Sequence, residues 1–65
     1  MKVRDAILAI EKDGWLYHST RGDHRQYVHP TKPGRVTVAG KPGHDVPAGI
    51  LSSIFKQAQM EKPRK

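Results

Sequence analysis

The sequence predicts a small α+β domain in which a helix, three antiparallel strands and a second helix follow one another, with both helices on one face of the sheet. Three observations favour this architecture. Apolar residues recur at helical spacing in AILAI near the start of the chain and in ILSSIF near its end. The segment between them holds three short stretches rich in β-branched and aromatic residues. Turns that contain glycine or proline separate these stretches.

The chain has 65 residues, enough for one domain, and we place that domain in residues 1–60 with EKPRK, 61–65, as a frayed tail. It has no cysteine, which argues against a disulfide framework, a thiolate nucleophile and the usual zinc sites. The longest apolar run is far shorter than the ~20 residues of a membrane span. Because MKVRD leads directly into a charged amphipathic pattern, we expect no signal peptide and a cytoplasmic location.

The first half of the chain gives one helix and two strands. The residues with helical spacing, which predict a first helix of about three turns, are Val3, Ala6, Ile7 and Ile10. Gly14 can end that helix in the left-handed conformation. WLYHST, 15–20, predicts the first strand, and RGD, 21–23, a turn into a second strand over 25–29.

The second half gives a strand, a loop and a helix. Pro33 and Gly34 suit the centre of a type II turn, RVTVA, 35–39, predicts the third strand, and GKPGHD, 40–45, a flexible loop. Pro47, with Asp45 just before it, marks the start of the second helix. The residues expected on the apolar stripe of this helix are Ile50, Leu51, Ile54, Phe55 and Ala58.

Strand alternation decides which side chains of the second strand reach the open sheet face. Tyr27 is the largest apolar side chain of this strand, and we expect it under the helices. That choice turns His24 and Gln26 outward, at the mouth of the first hairpin, together with Val28.

Charge is the strongest compositional signal. Twelve Lys and Arg residues against six Asp and Glu give a net charge of +6 and a pI near 10.1. This balance favours a polyanionic partner, nucleic acid ahead of a membrane, since no segment is both basic and strongly apolar. The alternative is that the charge serves solubility alone.

Three blocks, EKDGW, GDHRQYVHPTKPGRVTV and VPAGILSSIFKQA, together resemble the HicA family of toxins from toxin–antitoxin pairs. The resemblance runs from the first helix to about Met60. It implies a double-stranded-RNA-binding-domain-like α-β-β-β-α fold, an mRNA-cleaving activity and an inhibitory antitoxin of the HicB type. It marks His24 as catalytic. The chain departs from the family pattern at Asp23, where serine is usual, at Arg25, where a second histidine is common, and in the loop AGKPGHD.

The chemistry is consistent with that implication. RNA carries its own nucleophile, the 2′-hydroxyl, and histidine can transfer protons near neutral pH. We therefore expect His24 to act as general base or acid in a metal-independent transesterification that needs no cofactor and leaves a 2′,3′-cyclic phosphate. The basic residues expected to contact phosphates are Arg21, Arg25, Lys32, Arg35 and Lys41. Gly22 would let the backbone approach the phosphate, or would serve only as a turn residue with positive φ.

The other candidate residues favour structural roles. We expect His18 to be a half-buried strand residue and His29 to end its strand. His44 lies in the flexible loop and could swing towards a phosphate. Trp15 and Tyr17 favour core packing over base stacking, and zinc binding by the histidine pair of the second strand is disfavoured.

Three functions remain open from the sequence. The first is an RNA-cleaving toxin, a monomer or a component of a hetero-oligomeric complex with its antitoxin. The second is a noncatalytic RNA-binding module of the same fold. The third is a protein whose basic face binds another protein.

Overall fold

The computed structural model describes residues 1–60, so the frayed tail predicted for 61–65 lies outside the described residues. The element order is helix, strand, strand, strand, helix, which confirms the predicted α+β class. The elements are α1 (Val3–Lys12), β1 (Leu16–Arg21), β2 (His24–Val28), β3 (Val36–Ala39) and α2 (Ala48–Gln57). In this part of the chain, neither helix is long and apolar enough to cross a membrane.

The three strands form one antiparallel sheet in the order β1-β2-β3. All three begin one residue away from the predicted position: Trp15 and Arg35 precede their strands, and β2 starts at His24 and ends before His29. Tyr27 pairs with Val36, and Arg25 with Val38, which places the apolar members of both pairs on one face. Gln57 of α2 accepts a hydrogen bond from the backbone N–H of Thr37 (3.1 Å) on the outer edge of β3.

Both helices cover the Tyr27 face of the sheet, as predicted, and one core results. Its members are Val3, Ala6, Ile10, Trp15, Tyr27, Val36, Val38, Ile54, Phe55 and Ala58. Trp15 ties the two halves together because its indole N–H donates to the carbonyl of Ala58 (3.3 Å). Burial raises the pKa of the Tyr27 hydroxyl above its usual value, with the Glu11 carboxylate adding to the effect. Tyr27 is therefore a neutral core side chain.

The edge strand β1 corrects two expectations. A register shift between Tyr17 and Ser19 leaves His18 without a partner on β2, and His18 is exposed rather than half-buried. Tyr17 is also exposed rather than in the core, since the helices pack mainly on β3. It meets the edge of Tyr27 with its ring centroid 6.0 Å away, and its hydroxyl contacts that of Thr20.

The loop between β3 and α2 is held more firmly than predicted. Its carbonyls at Pro42 and His44 accept the N–H groups of Arg4 and Val3, the first turn of α1 (3.1 and 2.9 Å). The N–H of Val46 donates to the carbonyl of Met1 (2.9 Å). These bonds satisfy the α1 N-terminus and fix the loop against it.

Helix α2 starts after Pro47, as predicted, and its residues Ile54 and Phe55 are buried. Ala58, which follows the last residue of the helix, is buried as well. Ile50 does not join this stripe: it is 52% exposed. It belongs to the first turn of the helix, which lies over a pocket at the sheet end instead of over the core. The expectation that Ile50 is buried was therefore wrong.

Candidate functional site

His24 is the first residue of β2 and follows the tight turn formed by Gly22 and Asp23. Gly22 has φ +59, and a Cβ there would meet nothing within 4 Å, so the turn is open to an approaching ligand. The imidazole lies on the open sheet face, with 57% of the side chain exposed. Arg21 of β1 pairs with His24 in the sheet register, so a guanidinium and an imidazole share this end of the sheet.

Gly40 fixes this turn to the end of β3. Its N–H donates to the carbonyl of Asp23 (3.2 Å), and its carbonyl accepts from the guanidinium of Arg25 (2.9 Å). Arg25 pairs with Val38 and is partly buried on the helix side of the sheet. Its position makes Arg25 a support for the backbone that carries His24.

Asp23 is the polar side chain in contact with the imidazole. Its Oδ1 lies 3.5 Å from His24 Nε2, and 70% of the Asp23 side chain is exposed. At this distance the contact is electrostatic rather than a short hydrogen bond. More than half of the imidazole side chain is accessible to solvent beside this contact.

The remaining basic candidates divide into two groups. Arg21, Arg35 and Lys41 are exposed, and Lys41 directly follows the Gly40 that holds the turn. The guanidinium of Arg35 donates to Gln26 (2.9 Å), a residue of the open face. The side chains of these three cations are accessible to solvent.

Lys32 is placed elsewhere, within the fold. Its ammonium lies 2.5 Å from Asp13 Oδ2 and also donates to the carbonyls of Ala58 and Gln59 (3.3 Å each) at the end of α2. The hydrogen bond from Lys32 holds the pKa of Asp13 below its usual value, against the opposing effect of partial burial. The structure thus uses Lys32 to join the ends of both helices and does not bring it to His24.

His29 lies beside the same aspartate, and its structural role was predicted. Its Nδ1 accepts the backbone N–H groups of Thr31 and Lys32 (3.1 Å each), which assigns the ring proton to Nε2. Nε2 then donates to the carbonyl of Asp13 (2.7 Å), and the ring packs edge-on against Trp15. We call Asp13, His29 and Lys32 the Asp13 cluster.

The two histidines of the second hairpin strand cannot share a zinc ion. His29 is buried against Trp15, whereas His24 projects from the opposite, open face at the other end of β2. Gly14 adds a further constraint on His29: its φ is +106, as the predicted helix end requires, and a Cβ there would lie 2.8 Å from His29 Nε2.

A pocket of about 300 Å³ opens between the end of β3 and the start of α2, beside the turn that carries His24. We call it the β3–α2 pocket. Its lining includes Asp23, His44, Asp45, Val46, Pro47 and Ile50. His44 therefore shares a pocket with the carboxylate that contacts His24, although the loop holding it is fixed by hydrogen bonds.

Sequence reasoning missed Asp13 and Asp45. Nothing in the local sequence marks Asp13, because its partner Lys32 is 19 residues away. Asp45 was assigned to the start of α2, whereas its Oδ1 pairs with Lys2 across an isolated β-bridge (3.4 Å). Contacts of such long range carry no periodic signal in the sequence.

Two comparisons with known proteins bear on this site. Residues 3–60 match the model of one protein family, described as "HicA toxin of bacterial toxin-antitoxin". The match covers both helices, the whole sheet, the turn with His24 and the β3–α2 pocket. No curated protein matches the chain.

Proposed function

The chain belongs to the HicA toxin family of bacterial toxin–antitoxin systems, and from that premise we propose that it is an mRNA-cleaving endoribonuclease with His24 as its proton-transfer residue. Membership of the family gives the chain the role of a toxin with an antitoxin partner. The cleavage of RNA, the role of His24 and inhibition by a HicB-type antitoxin are our proposal.

The observation that carries the proposal is the exposed imidazole of His24, which follows a turn that hydrogen bonds join to Gly40. The two backbone groups of Gly40 hold this turn, so the ring is presented from a fixed strand end. A proton-transfer group must reach the substrate from a defined position, and a mobile loop would not provide one. Among the four histidines, His29 is engaged in structural hydrogen bonds. We choose His24 over His18 and His44, which are also exposed, because the resemblance to the family marks His24.

In the proposed reaction His24 removes the proton from a ribose 2′-hydroxyl. The 2′-oxygen forms a bond to the adjacent phosphorus, and the bond from phosphorus to the 5′-oxygen of the next nucleotide breaks. The leaving 5′-oxygen takes a proton from solvent water, His24 returns the 2′-hydroxyl proton to the solvent, and the products are a 2′,3′-cyclic phosphate and a free 5′-hydroxyl. No oxidant, metal ion or cofactor is needed to balance this step.

Three cations support the substrate in this proposal. Arg21 lies in register with His24, so we assign the contact with the reacting phosphate to it and contacts with the flanking RNA backbone to the exposed Arg35 and Lys41. Gly22 allows the phosphate to approach the main chain. Arg25 keeps the turn in place, and we leave Lys32 out of the RNA-binding set because its ammonium has three acceptors within the fold.

The proposed antitoxin inhibits by covering this face. A net charge of +6 on 65 residues favours an acidic partner, which would neutralise the cations and exclude RNA from His24. Such a complex would also stabilise a small domain by mass action.

The test compares wild type with His24→Ala and with His18→Ala, a matched control that removes an exposed histidine from the neighbouring strand. We expect His24→Ala to lower RNA cleavage by about 10²–10⁴-fold, the usual contribution of one acid–base group. His18→Ala should cleave RNA at the wild-type rate. Both variants should have the melting temperature of the wild-type protein. The assay contains a chelator, and the cyclic phosphate product is identified by mass spectrometry.

Full activity of His24→Ala would refute the assignment of the residue. Absence of cleavage by wild-type protein, together with salt-dependent RNA binding, would favour the noncatalytic RNA-binding module instead. Expression of the same variants in cells, with growth arrest and mRNA decay as readouts, gives the corresponding test of toxicity.

A further inference from the structure

The β3–α2 pocket lies next to the proposed reaction centre and has a charge opposite to that of the chain. Asp23 lines the pocket and also contacts His24. A ligand in the pocket would therefore be separated from the imidazole by the Asp23 side chain alone. Among the described residues, the only carboxylates or cationic side chains in the lining are Asp23 and Asp45. Two carboxylates repel a phosphate, so the RNA backbone is not the group that this pocket fits.

The rest of the lining is apolar or aromatic. Val46, Pro47 and the 52% exposed Ile50 form apolar walls, and His44 adds an imidazole ring. A flat heterocycle that presents N–H donors suits apolar walls with carboxylates at their rim. We propose that the β3–α2 pocket binds a guanine base adjacent to the phosphate at His24, an inference that rests on the proposed ribonuclease function and adds a base preference to it.

Guanine is chosen for the donors on its Watson–Crick edge. It presents an imino N–H and an amino group side by side, whereas uracil presents one N–H and adenine or cytosine one amino group. The contacts that the structure gives the two carboxylates, Asp23 with the His24 ring and Asp45 with the Lys2 ammonium, both use Oδ1. Oδ2 of each carboxylate is left to accept a hydrogen bond from the base.

Backbone hydrogen bonds join the walls of the pocket to neighbouring elements. The carbonyl of Asp23 accepts from Gly40, that of His44 accepts from Val3, and the N–H of Val46 donates to Met1. These bonds hold three sides of the pocket against β3 and α1. A base can therefore bind without the entropy cost of ordering a loop.

The first experiment measures binding to the intact chain by NMR. We expect guanosine monophosphate to shift the amide signals of Asp23, Val46 and Ile50, and uridine monophosphate to leave them unchanged. Asp23→Asn and Asp45→Asn should each weaken guanosine monophosphate binding by about tenfold, the usual value of a lost charged contact to a base. Glu11→Gln removes an exposed carboxylate from α1 and should bind as wild type does.

An equal response to the two nucleotides would mean that the phosphate is recognised, and it would overturn the proposal. No response of the pocket to either nucleotide, or equal binding by both aspartate variants and wild type, would overturn it as well.

The second experiment separates this inference from the proposed function. Wild type is assayed on oligouridylates that carry one internal guanosine, adenosine or cytidine and on the all-uridine control. Faster cleavage next to guanosine, lost in Asp45→Asn, supports the pocket; equal cleavage of all four RNAs refutes it and leaves the nuclease intact. Guanosine monophosphate binding without any cleavage supports the pocket and refutes the nuclease.

Discussion

His24 and His29 flank β2, yet their surroundings are opposite: His24 is the first residue of the strand, and His29 follows its last residue, Val28. Both nitrogens of His29 are engaged by backbone groups, and its side chain is 9% exposed. The His24 side chain is 57% exposed, and its Nε2 lies 3.5 Å from Asp23 Oδ1. The same side chain thus serves the core at one end of β2 and is presented to solvent at the other.

The difference comes from strand alternation and from what each end of the sheet meets. His29 falls beneath the junction of α1 and α2, where Trp15 and Asp13 supply a ring face and a carbonyl. His24 lies on the uncovered face, where no helix can supply partners. A histidine without structural partners retains the freedom to exchange protons with a ligand. The number of hydrogen-bond partners in the fold therefore distinguishes the roles of His24 and His29 better than their local sequence does.

The largest effect on the stability of the fold is expected from His29→Ala. The change leaves the carbonyl of Asp13 and two N–H groups without their partner and opens a cavity beside Trp15. We expect a loss of about 2–4 kcal/mol in the free energy of unfolding, which is much of the stability of so small a domain. Thermal and urea denaturation followed by circular dichroism measure it.

His24→Ala is the matched control for that experiment, because it should change the free energy of unfolding by less than about 0.5 kcal/mol. The two variants should lose different properties. His29→Ala should lose stability but retain RNA cleavage in the fraction that is folded, and His24→Ala should retain the fold but lose RNA cleavage. Equal stabilities of the two variants would contradict the division of roles.

The sequence was sufficient for the architecture because the periodic residues dominate the core. Tyr27 was predicted under the helices, and it is buried there together with Val36 and Val38. The burial of Ile50 was predicted wrongly, because helical spacing indicates the face of the helix on which a residue lies but not where the sheet beneath that face ends. His18 broke it through a bulge, which shifts the register and has no signature in LYHSTR.

The candidate site was only partly predictable. His24 was found by alternation and by family resemblance, and the structure places it on the open face. The sequence could not show which basic residues are exposed and which are used within the fold, because Arg21 and Lys32 both lie in polar turn-rich segments. Only the folded chain shows that Lys32 meets Asp13 and the last carbonyls of α2.

A matched pair of substitutions, Lys32→Met and Arg21→Met, extends the comparison from histidines to cations. Lys32→Met should lower the melting temperature by about 5 °C, since it removes the cation at the α2 C-terminus and the partner of Asp13. It should leave the salt dependence of RNA binding nearly unchanged. Arg21→Met should do the reverse: no change in melting, and a slope of log affinity against log salt that is shallower by about 0.7. Equal slopes for the two variants would refute the separation.

The smallest expected effect is the loss of stability at acidic pH that results from the protonation of Asp13. Lys32 holds the pKa of Asp13 below its usual 3.8, so the folded state favours the carboxylate and gains stability above the unfolded pKa. That contribution is complete at neutral pH and is lost as the pH falls below 3.8 through the folded pKa. Asp13→Asn keeps the size of the side chain and the carbonyl that His29 uses, but it has no charge to lose. Unfolding free energies measured against pH should therefore show wild type above Asp13→Asn at neutral pH, with the gap closing in acid. A gap that stays constant below the usual pKa would mean that the Lys32 contact does not depend on the charge of Asp13.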